Sequence, residues 1–408
     1  MKYQFDHIVH REDTRCLKYD KREEMFGRTD VIPMWIADMD FEVAPFITEA
    51  IRERAEHHVF GYEFRCDTFH DALRDWVGRR NGWKIENGWI NCTPGVVSGI
   101  ALGLLAFSAE GDGVVIQPPV YPPFKHAIEA NGRKLINNPL VFRDGHFEID
   151  FDDLDRKLSE ARIFIFCNPH NPTGRVFSRE ELEKVAALCK KHDITVISDE
   201  IHADFTYDPY THIHIASLSD DMARRTITLM APSKTFNIAG LNTSAAVIAD
   251  DGRRAAYRSW IERLHIDGGN VFGNVAFEAA YRNGDEWVDQ LRHYLKGNID
   301  FATEYLRKNI PTIRFTEPEG TFLLWLDFSD WNMSHHQLRE FLSGQARLGL
   351  NDGMEFGREG ASCARMNLGA PLSVIRQALD QLRSAYESIG GKSVQQVKEK
   401  DIRSVQAI

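Results

Sequence analysis

The sequence has no Cys-x-x-Cys pair. Its six cysteines, Cys16, Cys66, Cys92, Cys167, Cys189 and Cys363, are scattered. That excludes a zinc knuckle and a disulfide frame, and predicts reduced, mostly buried thiols. No apolar run approaches the length that spans a bilayer. The opening stretch, Met1 to Asp6, has no apolar signal core, so the expected location is the cytoplasm. Positive charge is scarce. The chain has 49 Lys and Arg against 60 Asp and Glu, a net charge of -11, the wrong sign for a nucleic-acid partner. No Gly-x-Gly-x-x-Gly occurs, which leaves a dinucleotide fold without support. There is no low-complexity tract and no internal repeat. Gly390 to Ser393 imitates the end of a phosphate loop. The glycine it needs upstream is Tyr386, however, and no strand precedes it. His212 and His214, like His335 and His336, lie near no acid-rich helix motif. They read as solvated histidines, and no metal site is expected.

What is present is ordinary for a soluble globular protein: 43% hydrophobic and 27% charged residues over 408 positions, enough for two domains with sizeable cores. Residues 1–32 are polar and irregular and read as an arm. Ile32 to Phe41 follows as a buried strand or crossing loop, in which Asp38 and Asp40 need partners if buried. Apolar spacing predicts helices from Pro45 to His57 and from Phe69 to Val77. A strand from Ile90 leads through the Pro94-Gly95 turn into an apolar helix ending near Ala106. The free N–H groups at such a helix start form a natural phosphate cradle. Gly113 to Gln117 is a strand, and four prolines fix the backbone around Tyr121 just beyond it. A rigid aromatic there can stack on a flat ring. Residues 133–139 suggest a further strand.

Arg162 to Cys167 is a buried strand running into a tight loop, Asn168 to Gly174, which holds two Asn-Pro dipeptides. Ser178 and Glu181 form a capping box that starts the next helix. The strand from Ile194 then ends on Asp199, and the strand Thr226 to Met230 ends close to Lys234. Gly240 to Ile248 supplies one more strand. Strand and helix thus alternate from about residue 90 to 250, which predicts a mostly parallel sheet covered on both faces. Residues 272–307 carry long helical patterns. Gly320 to Asp327 and Ala364 to Leu368 read as strands of a second domain, closed by a helix from Ser373 to Ile389. Residues 391–408 form a polar tail.

Open α/β sheets bind ligands at the carboxyl ends of their strands. A carboxylate and a lysine at two such ends suit pyridoxal phosphate. The amine holds the aldehyde as a Schiff base, and the acid keeps the pyridine nitrogen protonated. Six motifs stand in order: Pro94-Gly-Val-Val97, Tyr121-Pro-Pro-Phe124, Asn171-Pro-Thr-Gly174, Asp199-Glu-Ile-His202, Ser233-Lys-Thr-Phe-Asn237 and Ala364-Arg-Met-Asn-Leu-Gly369. The series resembles the fold-type I pyridoxal-phosphate enzymes, the aspartate aminotransferase superfamily. Pro33 to Phe41 and Asp199 to His202 look like its MalY/PatB-type branch, the cystathionine β-lyases or C–S lyases.

The resemblance covers residues 20 to 390. It implies an α/β fold: a three-layer large domain at 51–283, and a smaller α+β domain at 284–390 joined by the segment 1–50. By the same resemblance Lys234 carries the cofactor and Asp199 pairs with its ring nitrogen. Tyr121 stacks on the ring, while Asn171 and His202 lie at the ring oxygen. Val96, Val97 and Ser233 hold the phosphate, joined by Tyr62 from a second subunit of a homodimer. Arg365 clamps the substrate carboxylate, with Ala37 beside it. Two positions depart from the pattern: Asn242 and Ala231 stand where many relatives have arginine and serine, which implies a lighter phosphate grip. The implied activity is β-elimination on cysteine S-conjugates. Transamination, or a regulatory role on the same fold, are the alternatives.

Overall fold

The computed structural model describes residues 3–143 and 145–390. Seven strands form the main sheet, in the order Ile90–Thr93, Ser244–Val247, Thr226–Met230, Thr195–Asp199, Ile163–Cys167, Gly113–Ile116 and Lys134–Asn137. Ser244–Val247 is antiparallel to both its neighbours, and the other pairs are parallel.

Continuous apolar runs produce this sheet because both of its faces are covered. Ile163–Cys167 is buried at every position. Ile163, Ile165 and Cys167 pack with Ile100, Leu104 and Tyr257 on one side. Phe164 and Phe166 pack with Leu182, Val185 and Cys189 on the other. The period of two thus serves two cores, and each large side chain buried this way contributes roughly 1.5–3 kcal/mol. Helices Val96–Phe107 and Asp251–Arg263 cover the first face, and Phe151–Leu158 and Arg179–Lys191 the second. The predicted capping box is formed at Ser178 and Glu181.

A second sheet is antiparallel, in the order Arg314–Phe315, Leu323–Asp327, Cys363–Asn367 and Asn351–Asp352. Helices Asp285–Asn309 and Leu372–Ser388 share its core through Leu295, Ile299, Ile375 and Leu379. Ile32–Pro33 pairs in parallel with Leu348–Gly349, tying the early chain to this region. Helices Pro45–Glu56 and Asp67–Asn81 pack against Val271–Asn283. Among the described residues no helix is long and apolar enough to cross a membrane.

Four expectations need correcting. The arm is not irregular: it forms the short helices Leu17–Asp20 and Arg22–Phe26, and Phe5 joins the core. Lys18 is only 1% exposed. It donates to Asp40 at 2.8 Å, and Arg11 donates to Asp38 at 2.6 Å and to Asp40 at 2.5 Å. The polar arm supplies the partners that the buried aspartates require. The strand expected at Gly240 starts only at Ser244, because Ala239–Leu241 makes a 3-10 turn and Asn242 takes a positive φ of 46°. His212 and His214 are not solvated. Both are buried and meet the Glu200 carboxylate. Cys66 is exposed, although Cys92, Cys167 and Cys189 are buried as expected. The expected tail, residues 391–408, lies outside the described residues, as do Gly391 to Ser393.

Candidate active site

The carboxyl ends of the parallel strands open on one cavity of about 660 Å³. Gly95, Val96 and Val97 reach it from the strand Ile90–Thr93, and Tyr121 from Gly113–Ile116. Asn171 comes from Ile163–Cys167, Asp199 and His202 from Thr195–Asp199, and Ser233 and Lys234 from Thr226–Met230. Lys234 and Asp199 therefore share one space, as their placement at neighbouring strand ends predicts. Ala37 and Arg365 line it too, carried in by the early chain and the second sheet.

Asp199 is 4% exposed. Its Oδ1 accepts one hydrogen bond, from the Ile201 N–H at 3.1 Å. Burial outweighs that bond and the nearby Lys234 charge, and pushes its pKa up to about 7. Lys234 is partly open to the cavity. Its Nζ donates to the Ala37 carbonyl at 2.7 Å. Desolvation first, then the Arg365 charge, bring its amine down to about 8. His202 is buried with Nδ1 unpartnered. Burial, reinforced by Lys234 and Arg365, holds it well below the usual imidazole range, so the ring is neutral. Burial, then Asp199, raises the Tyr121 phenol, which stays protonated.

Helix Val96–Phe107 points its N-terminus into the cavity. Gly95 precedes it with no side-chain cap. Its first N–H groups are thus available to an anion. Ser98, Ser233 and Asn242 line the same end. Ala231 is buried and does not line it.

The crossing loop at 35–41 is held from three directions. Asn237 accepts from the Met39 N–H and donates to the Met39 and Phe41 carbonyls. Asn367 donates to the Ile36 and Asp38 carbonyls, both at 2.6 Å. Arg365 donates to the Trp35 carbonyl at 2.6 Å. Asn237 and Asn367 thus set where Ala37 meets Lys234. The sequence showed them only as members of their motifs.

Arg365 is buried, and desolvation lowers it to about 10. Its Nη1 donates to Asn171 Oδ1 at 2.9 Å and its Nη2 to Asn351 Oδ1 at 2.7 Å, while its Nε has no partner. The Nε–H is thus a buried donor left unpaired beside two amide-bound ones. The Asn171 oxygen is thus already engaged by Arg365. Tyr62 is fully exposed and does not line its own chain's cavity. Leu17, Trp35, Asn351 and Glu355 do line it. Sequence reasoning assigned none of the four to the site, and only Trp35, inside the quoted Pro33–Phe41 stretch, carried a signal.

Pyridoxal phosphate fits the residues present. A buried acid has its pKa raised by desolvation despite the nearby Lys234 charge, and an amine lowered to about 8 faces the same space. His202 Nδ1 is an orphaned buried polar atom. An uncapped helix start awaits an anion.

Comparison with known proteins agrees. The family model "Aminotransferase class I and II" matches residues 29–382. Cystathionine beta-lyase PatB of Bacillus subtilis (strain 168) is 42% identical over 383 residues, covering 93% of this chain and 99% of the relative. The crystal structure of cystalysin from Treponema denticola, which contains a pyridoxal 5'-phosphate cofactor, superposes with a TM-score of 0.91 at 33% identity. It covers 95% of this chain and 100% of cystalysin. The PLP-bound C-S lyase from Staphylococcus hominis gives a TM-score of 0.88 at 31% identity, covering 94% and 98%.

Proposed function

The chain belongs to the class I and II aminotransferase family, and from that premise we propose that it is a pyridoxal-phosphate C–S β-lyase. It acts on cystathionine or a similar cysteine S-conjugate, and with one water yields a thiol, pyruvate and ammonia. The observation that carries the reading is the convergence of Lys234, Asp199 and Arg365 on one cavity. The likeness to PatB supports elimination as the outcome.

When bound, pyridoxal phosphate supplies the electron sink that lets an amino acid lose its Cα proton. Lys234 would hold its aldehyde carbon, and Asp199 its ring nitrogen. Asn171 and His202 would lie at the ring oxygen. The N–H groups of Val96 and Val97, with Ser233 and the partner copy's tyrosine at position 62, would hold the phosphate.

The chain's own groups then divide the work. Arg365 orients the substrate through its carboxylate, using the Nε–H that has no partner in the free site. Tyr121, fixed at the start of helix Pro122–Ala130, forms one wall against a flat ring. The Lys234 amine, its pKa brought down to about 8, takes the Cα proton at Nζ in its neutral form. Asp199 would keep a proton at the ring nitrogen, a role its buried position strengthens. The sulfur then leaves Cβ with the bonding pair and regains a proton from the Lys234 ammonium, and one water releases pyruvate and ammonia.

Transamination uses the same site and is the second reading, favoured by the family match. Purified protein is assayed with cystathionine for thiol and pyruvate, then with an amino acid plus a keto acid. Pyruvate release in the first assay at a rate above amino transfer in the second supports the lyase; the reverse order overturns it. Lys234→Ala is expected to be colourless and inactive.

A further inference from the structure

The cavity does not end at Arg365. It continues to Leu17, Trp35, Asn351 and Glu355. A second cavity of about 390 Å³ backs onto the same Trp35, Asn351 and Glu355. Between the two charges stands one amide. Asn351 Oδ1 accepts from Arg365 Nη2 at 2.7 Å, and Asn351 Nδ2 donates to Glu355 Oε2 at 2.7 Å. The amide is therefore oriented from both sides, and it sets the Glu355 carboxylate at a fixed remove from the arginine.

Resting on the lyase reading above, we propose that Glu355 is a specificity residue, selecting cysteine conjugates whose sulfur substituent carries a cation a few bonds away. If Arg365 takes the α-carboxylate, the substituent extends along the remaining wall. Leu17 and Trp35 offer apolar surface to its methylenes. Glu355 then offers a carboxylate beside Asn351, on the short turn Gly353–Phe356. A substituent ending in an ammonium gains a charge-assisted hydrogen bond there, and one ending in a carboxylate alone meets like charge. The distal half of cystathionine bears such an ammonium. The competing role for Glu355, holding Asn351 and through it Arg365, predicts no dependence on the charge of the substituent.

The test uses the holoenzyme and two substituents of equal size, in S-(2-aminoethyl)-L-cysteine and S-propyl-L-cysteine. Glu355→Gln keeps an oxygen for Asn351 and removes the charge. The expected result is a drop of about three- to five-fold in kcat/KM for the aminoethyl substrate, the scale of one solvent-exposed ion pair, with the propyl substrate unchanged. Glu355→Asp should retain much of the preference. Equal losses on both substrates, or no loss on either, overturn the proposal. The change in the cofactor's visible absorbance immediately on mixing each compound at a series of concentrations, a titration, reads binding separately from pyruvate release. A wild-type protein that prefers the aminoethyl compound in that titration, yet releases no pyruvate, refutes the lyase reading alone. Pyruvate release with no charge preference refutes the role of Glu355 alone.

Discussion

Asp199 and Lys234 are ionisable groups that the fold pulls in opposite directions, toward a shared middle range near pH 7–8. Desolvation is the largest cause for both, because each charged form loses water at the strand ends. For Lys234 the sign is simple. Its neutral form is the nucleophile, so uptake of pyridoxal phosphate by the apoprotein should accelerate as pH rises through about 8. Stopped-flow absorbance measures it, with the rate levelling off above about pH 9; a rate still climbing about tenfold per pH unit there, as an unshifted lysine gives, would contradict the lowered amine. Asp199→Ala should abolish turnover and leave the melting temperature nearly unchanged. The side chain has one hydrogen bond to lose, and an unpaired buried acid stabilises little. Near-normal turnover in that variant would sink its assignment to the ring nitrogen.

The strand that presents Asp199 is anchored one residue further on. Glu200 Oε1 accepts from Ser198 Oγ at 2.7 Å. Its Oε2 meets His212 Nε2 at 2.9 Å and also His214 Nδ1. His214 in turn lies 4.5 Å from the Trp83 ring. These groups fasten the segment around His212 to the sheet. Glu200→Ala leaves three donors facing a cavity, and should cost about 3–5 kcal/mol of stability, read by denaturant titration. Burial works to raise the Glu200 pKa, but the two histidines outweigh it and hold the carboxyl at about 2. A depressed folded-state value makes its contribution complete above the unfolded value of 4.5, and lost as pH falls through about 2. Wild type should therefore lose stability across that acid window more steeply than Glu200→Gln does. The arm works on the same principle. Lys18→Met removes a buried cation from Asp40, and should speed amide exchange in Leu17–Asp20 before it affects the main sheet.

At the scale of the whole molecule, the segment holding Val59, Phe60, Tyr62 and Phe64 is exposed. Four large apolar or aromatic side chains within six positions ask for cover. A homodimer is expected by sedimentation, and a fully active monomer would count against Tyr62 serving a neighbouring site.

Much of this architecture was legible along the chain. Residues such as Ile163 to Cys167 reveal a buried strand because local covalent geometry repeats every two positions. Ser178 and Glu181 reveal a helix start because capping acts over three. Lys234 and Asp199 were legible because strand ends in such sheets face one side. What only the tertiary structure decided are pairings across long separations. Lys18 meets Asp40, Asn237 and Asn367 clamp the loop at Ala37, and Glu200 gathers His212 and His214. Asn351 stands between Arg365 and Glu355. No periodicity announces such contacts, because each is set by where two packed elements meet rather than by the rise and turn of either. Lys18, His212 and His214, which pattern alone assigns to water, are thereby buried against the carboxylates that desolvation requires.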